Sequence, residues 1–578
     1  MKKHILMVLS LMSSMLFSDS CNCLQGINSY QPHSFNAYSS RDILHKKTFY
    51  TNDSHRDEWQ GMFSVVPEYM RSFNQNCGEC SGLGSRPFWS GTNSMTYGIN
   101  DGNSNVDAYQ FGMGDVKGQG TITINPRVEH YGADMMLHFA RNKFERGLFF
   151  TIKAPLAALS IETNITEDVA VPISDSITFT DNSDNTIVTD ISDVWPTYPA
   201  QGARYKSLRE AWQAGSATAE AEVSSSRHNL LVITQGRLSD CKQTAIRMAD
   251  VSMTLGYKLY ASDKGFVDFG FKVTCPTGNV PKGEFIFEPI VGRAGHWGVG
   301  AELSSRYEIW NNQTDQHLDF WMQGEVVHLF SGRTGFRSFD LKKNGKGSKY
   351  MLLQHYFPVT PTDDNPTGRL ASFVTHAVNV TTMPVKSSFS AEGSLAAAFD
   401  YHKDNWNMML GAEFWGRACE KLELDCCKLV KYRVANLNEY AVLGRQASED
   451  ARSFANNQAI LDLHLCEPEA TISKSENIVL GEGVPPAVLT YPTNLPEGVK
   501  DARVAANRIP SSLHDALDVC GAAEGRALTG RLLGELGYTF KDCHYTPHLG
   551  LFGSVEVNNT TNTTVRLWSV GAQGSLNF

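Results

Sequence analysis

The sequence predicts an all-β chain, a transmembrane antiparallel β-barrel of about 12 strands whose long loops carry short helices. Three observations lead there. A single apolar stretch stands at the N-terminus, and nothing after it is long enough to be a membrane-spanning helix. Apolar and polar residues then alternate with period two in segment after segment up to Phe578. The connections between those segments are short and long in turn.

The 578 residues carry 51 Lys plus Arg against 61 Asp plus Glu, a formal charge of −10, which excludes a general nucleic-acid binder. With 19% charged residues, 48 Gly and 10% aromatics, the chain is neither disordered nor a coiled coil. Lys2 and Lys3 followed by the apolar run Ile5–Phe17 read as a signal peptide over 1–20, with Ser18 and Ser20 as the small residues before a cut. Acylation at Cys21 is the competing reading of the same residues. Twelve cysteines in an exported chain permit disulfides, with no pairing readable from sequence. Cys426 and Cys427 are expected to have distant partners or to stay free, and Cys77-Gly-Glu-Cys80 to be structural rather than redox-active.

Residues 21–105 show neither periodicity and form an N-terminal periplasmic or plug-like segment, leaving 106–578 as the barrel. The first strand is sought at Asp107–Ile124, with Tyr109, Phe111 and Met113. Two strands follow near 127–158, two near 246–273, two near 297–330 and two near 388–419, with three after 526. Their apolar phases include Val251, Met253, Leu255 and Tyr257, then Trp406, Met408, Leu410 and Phe414, then Leu528, Leu532 and Leu536. Hairpins hidden at Phe285–Ile290 or Met351–Phe357 would raise the count to 14 or 16. Inserts at 159–245, 331–387 and 420–525 separate these pairs. Short helices are expected at Ala203–Ala214 and across 433–464.

In the last segment Trp568, Val570, Ala572, Gly574, Leu576 and Phe578 share one face, and Ser569, Gly571, Gln573, Ser575 and Asn577 the other. This resembles the C-terminal strand of Gram-negative outer-membrane β-barrels, the porin-like class. The resemblance implies that Val570, Ala572, Leu576 and Phe578 form the signal read by the barrel-insertion machinery. It also implies an outer-membrane location in contact with lipid and lipopolysaccharide, short turns in the periplasm and long loops outside. An autotransporter fits less well, because strands start near residue 107 rather than in a C-terminal block.

If the apolar phase meets lipid, the other phase lines the lumen. Its acids are Asp134, Asp250, Asp268, Glu302, Glu308, Asp319, Glu325, Glu392, Asp400, Glu413, Glu535 and Glu556; its bases are Lys153, Lys258, Lys272, Arg306, Arg417 and Arg531. An acidic excess with both signs present points to a channel for passive diffusion of small hydrophilic solutes, mildly favouring cations. The rival reading is a surface-exposed interaction or adhesion protein that uses the barrel as an anchor. No cofactor is expected, and no resident metal. Asp181, Asp184, Asp190 and Asp193 lack EF-hand register, and Cys543, His544 and His548 read as turn residues. His328 beside Ser331 has no acid in register for a hydrolase, so no enzyme is expected. The basic run Arg333, Arg337, Lys342, Lys343, Lys346 and Lys349 reads as a solvated loop before it reads as an anion-binding surface.

Overall fold

The computed structural model describes residues 33–50, 59–73, 88–98, 104–111, 119–171, 176–180, 186–190, 207–213, 230–358, 369–431, 437–445, 464–466, 470–473 and 512–578. Short breaks fall within these at 36, 142–145, 263, 313–315, 542, 544 and 559–564. The signal segment, Cys21, Cys23, Cys77, Cys80 and most of the Asp181–Asp193 group lie outside the described residues.

Twelve strands close into one antiparallel barrel. They are β1 (Trp59–Ser72), β2 (Arg127–Arg141), β3 (Leu148–Lys153, continued by Leu156–Glu162), β4 (Gln243–Met248, continued by Val251–Ser262), β5 (Gly265–Cys275) and β6 (Trp297–Asn311). The rest are β7 (Gln316–Phe330), β8 (Thr382–Lys403), β9 (Trp406–Arg417), β10 (Ala527–Thr539), β11 (His548–Asn558) and β12 (Leu567–Asn577). Each pairs with its neighbours in sequence, and β1 pairs with both β2 and β12, so the barrel leaves no free edge.

The twelfth strand is not where the sequence suggested. The described residues of Asp107–Ile124 contribute no barrel strand: Gln119–Ile124 pairs instead with Ser94–Gly98 and Ile165–Val171 in a separate four-stranded sheet, and Met113 lies outside the described residues. The barrel starts earlier, at β1, within the 21–105 stretch read as a periplasmic or plug-like segment. Its outward residues include the exposed Trp59 and Phe63, but Met62, Val66 and Met70 on the opposite face are fully buried. With apolar side chains on both faces, the period-two contrast disappears. The inner face of β1 packs on protein, not water.

Elsewhere the alternation holds as expected. β10 turns Leu528, Leu532 and Leu536 outward and Thr529, Arg531 and Glu535 inward. The outer face keeps Leu410, Phe414, Leu532, Leu549 and Leu551 at 59–71% exposure. A continuous apolar belt of that kind is what lipid would cover. Among the described residues no helix is long and apolar enough to cross a membrane. At one end of the barrel the connections are short, as in the two-residue turn Asp404-Asn405 with Asp404 at φ 54°. At the other end lie the long inserts.

Val570, Leu576 and Phe578 face outward and Ala572 is half-buried between them. The Phe578 amide and carbonyl pair with those of Gly61 (2.9 and 2.7 Å), and its ring lies over the Gly61 α-carbon and edge-on to Phe139. The terminal residue thus covers the seam where the sheet closes, and Gly61 leaves room for it. Gly61→Leu is expected to lower stability by about 1–3 kcal/mol by overpacking, read as an earlier midpoint of urea unfolding in detergent micelles.

The long inserts gather at the loop end into a second core. A five-stranded sheet includes Leu352–Pro358, Arg369–His376 and Tyr440–Arg445, and buried Trp212, Phe88, Phe111 and Tyr350 stack around one another. Three sequence expectations change here. The Met351–Phe357 hairpin exists, but in this sheet rather than in the barrel wall. Within 433–464 the described residues form a short 3-10 turn, Leu437–Glu439, and then the strand Tyr440–Arg445; buried Tyr440, Ala441, Val442 and Leu443 are held by pairing that overrides helical propensity. The basic run is not a single exposed patch. Arg337 is buried against Glu420 at 3.0 Å, and burial pushes the Lys349 ammonium down from its ordinary value. A helix does occupy Leu208–Gln213.

Candidate functional site, the barrel lumen

The lumen is occupied. Ser39–Tyr50 forms a helix, α1, inside the barrel, and all 12 of its residues are buried. Its N-terminus is capped by the wall: the Glu413 carboxylate accepts the Ser39 and Ser40 amides (2.7 and 3.3 Å) and the Ser40 hydroxyl. Four free amides and a favourable dipole make a helix N-terminus a natural partner for a carboxylate. From there α1 descends toward the turn end, where Tyr50 stacks on Phe266 (4.0 Å) and donates to Asp268 (3.1 Å).

Each turn of α1 meets the wall through charge. Arg41 binds Glu68 and lies 3.5 Å from Asp134, Asp42 binds Lys153, Lys46 binds Glu302 and Ser304, and Lys47 binds Glu535. His45 Nδ1 is 2.8 Å from the Ser64 hydroxyl. Upstream of the helix, Tyr38 donates to Glu556 (2.9 Å) and His33 stacks on Trp415. The wall also carries like charges on directly opposed residues, Glu302 across from Glu325 and Asp319 across from Asp400. Such pairs repel unless cations stand between them. Lys46 and Lys272 serve the first pair, helped by Arg293, which enters from the β5–β6 connection to bind Glu325 (3.3 Å) and Glu392 (2.7 Å).

Of the 18 charged residues assigned to the lumen from sequence, 16 are buried on the inner side and Arg306 and Glu308 are half-buried. Not all of them face α1. Asp250 accepts the Gly278 and Arg293 amides and so anchors the β5–β6 connection, and Arg417 lies over the Phe389 ring at 4.4 Å. Lys258 faces the Tyr50 ring at 5.2 Å. Sequence reasoning missed Arg41, Lys46, Lys47, Glu68 and Arg293. The first four sit in the stretch without periodicity, where Ser39 followed by Asp42 was the available helix-start signal.

No catalytic constellation forms around His328. It is exposed on the outer face, with Nδ1 2.9 Å from the Ser390 carbonyl. His548 lies on the inner face, 2.9 Å from the Thr539 hydroxyl. Cys241, Cys275, Cys426, Cys427 and Cys543 are free thiols.

No protein-family model matches the sequence, and a search of curated proteins finds no match. Among solved structures the chain is similar to an outer membrane channel from Pseudomonas putida F1, at 8% identity and TM-score 0.35, over 91% of this chain and 98% of that one. It is similar to a FadL homologue from Pseudomonas aeruginosa at 9% identity and TM-score 0.22, over 90% and 89%. A variant of OccD1 (OprD) follows at 6% identity and TM-score 0.18, over 91% and 97%. Closed strand pairing and the apolar outer face by themselves make this chain a β-barrel of the outer-membrane kind.

Proposed function

We propose that the protein is an outer-membrane channel for small hydrophilic solutes, closed in this conformation by α1 and mildly cation-favouring when α1 leaves. The supporting observation is that Glu68, Lys153, Glu302, Glu413 and Glu535, on five different wall strands, are all met by one short helix. A helix with its side chains is about 10–12 Å across, so a barrel that holds one encloses a solute-sized passage once it is gone. On the wall, the 12 acids and six bases assigned from sequence leave an excess of six negative charges, and Glu68 makes it seven. Arg41, Lys46 and Lys47 against Asp42 give α1 a net +2. A vacated lumen would therefore attract cations.

In this reading the short turns are periplasmic and the loop-end core faces outward, where it and the basic residues around Lys342 could meet lipopolysaccharide. The C-terminal seam strand is the element handed to the insertion machinery, and no chemistry is catalysed. The folded loop-end core favours one second reading, a surface-interaction protein with the barrel as its anchor. Planar-bilayer recordings separate the two. The chain lacking Ser39–Tyr50 is expected to pass steady current with a cation-favouring reversal potential, while the full chain stays mostly closed. A folded deletion variant that passes no current would leave the anchor reading.

A further inference from the structure

At the turn end of the lumen, two rungs of the β7–β8 ladder carry donor side chains on the same inner face. His317 stands directly opposite His402, and Asp319 directly opposite Asp400. The imidazole rings are stacked, with centroids 4.4 Å apart and planes 11° apart. Asp319 Oδ2 lies 3.7 Å from His317 Nε2 and 4.0 Å from His402 Nε2, and the coordinating atoms of these three residues all fall within 4.8 Å of one another. Asp400 Oδ2 is 2.9 Å from His402 Nε2.

The geometry points to a binding site for a divalent transition cation of the Zn2+ class, with His317, His402 and Asp319 as ligands and Asp400, whose Oδ2 already lies against the same His402 nitrogen, as a fourth donor. Bonds of about 2.0–2.1 Å in a tetrahedron place ligand atoms about 3.3 Å apart. The separations of 3.7 and 4.0 Å are too long for hydrogen bonds and close to that value, so small side-chain rotations bring the three atoms onto one ion. Two imidazoles with one or two carboxylates suit borderline cations rather than Ca2+ or Mg2+, which need more oxygen ligands. A second observation agrees. Asp319 and Asp400 are opposed carboxylates on adjacent strands, a pairing that costs stability unless positive charge lies between them. Arg306 supplies part of it, donating to both oxygens of Asp319 (2.7 and 3.2 Å) and fixing the plane of that carboxylate. Asn407 donates to Asp400 at 3.2 Å. Asp319 and Asp400 are buried, whereas His317 keeps 24% of its side chain exposed at the mouth and gives an ion a way in.

The test is Zn2+ titration by calorimetry on the full chain folded in detergent, stripped with chelator and with its thiols alkylated so that cysteine binding is removed. One saturable site is expected, uncompeted by millimolar Ca2+. Affinity should fall at least about tenfold in His317→Gln and further in His317→Gln/His402→Gln. Because His317 is partly exposed, the single variant should fold as the parent does, which heat-modifiable gel mobility verifies. Co2+ in the same site should give the visible absorption of a tetrahedral complex, and that band should vanish in the single variant. Absence of a saturable Zn2+ site in the parent, or unchanged affinity in both variants, overturns the inference.

Discussion

Glu68→Gln is expected to cost about 3–5 kcal/mol of stability, measured as the shift in urea unfolding of the folded barrel in detergent. Two guanidiniums converge on this one carboxylate: Arg41 from α1, through Nε at 3.1 Å and through Nη2, and Arg531 from β10. All three side chains are at most 2% exposed. Taking charges out of water is repaid only by close, well-directed pairing, so neutralising the carboxylate leaves two buried cations facing each other. Arg41→Met in the Glu68→Gln background should recover part of the loss, because it removes one of them; a double-mutant cycle reads that coupling directly. The exposed pair Arg209–Asp240, 41% and 37% exposed, is the contrast. Breaking it with Arg209→Ala should cost less than about 1 kcal/mol. If the two substitutions cost the same, the lumen is wetter than these contacts indicate.

How much of this was legible in the sequence depended on what each strand face touches. Wherever one face meets lipid and the other a polar lumen, the contrast survives, and β2 to β12 lie where the sequence placed them. β1 was lost because Met62, Val66 and Met70 pack inward on protein. α1 was lost for the complementary reason. A helix surrounded by a charged wall needs polar residues on every side, so Arg41, Asp42, Lys46 and Lys47 leave no apolar stripe to detect. The identity of the inner-wall charges was readable, but not their partners. Glu413 capping a helix, or Arg293 reaching Glu392 from a connection, are contacts between distant parts of the chain that no local pattern encodes. The inserts were recognised by length alone; that they fold together around Trp212 and Tyr350 follows from packing among segments far apart in sequence.

Reversing the charge of Lys46 and Lys47 should open the lumen without deleting anything. Lys46 is bound to Glu302 and Lys47 to Glu535, all four buried. In Lys46→Glu/Lys47→Glu each attraction becomes a buried repulsion, and every broken pair of this kind costs about 3–5 kcal/mol. About 5.5 kcal/mol is enough to carry a two-state equilibrium from one part in a hundred to its inverse. The docked helix should therefore become the minor state, with current appearing in planar bilayers and a new tryptic cut within 39–50. Leakage through a loosened wall would give current as well, so the position of α1 must be controlled independently. Ser39 and Ser394 hydroxyl oxygens are 2.5 Å apart, one on the helix and one on β8. Ser39→Cys and Ser394→Cys added to the charge-reversed chain should form a disulfide that holds the first turn of α1 against the wall. Oxidised protein should then be closed, and dithiothreitol should restore the current. Conduction that persists with the helix tethered would mean that solutes pass elsewhere and that α1 is a structural core of the barrel, not its plug.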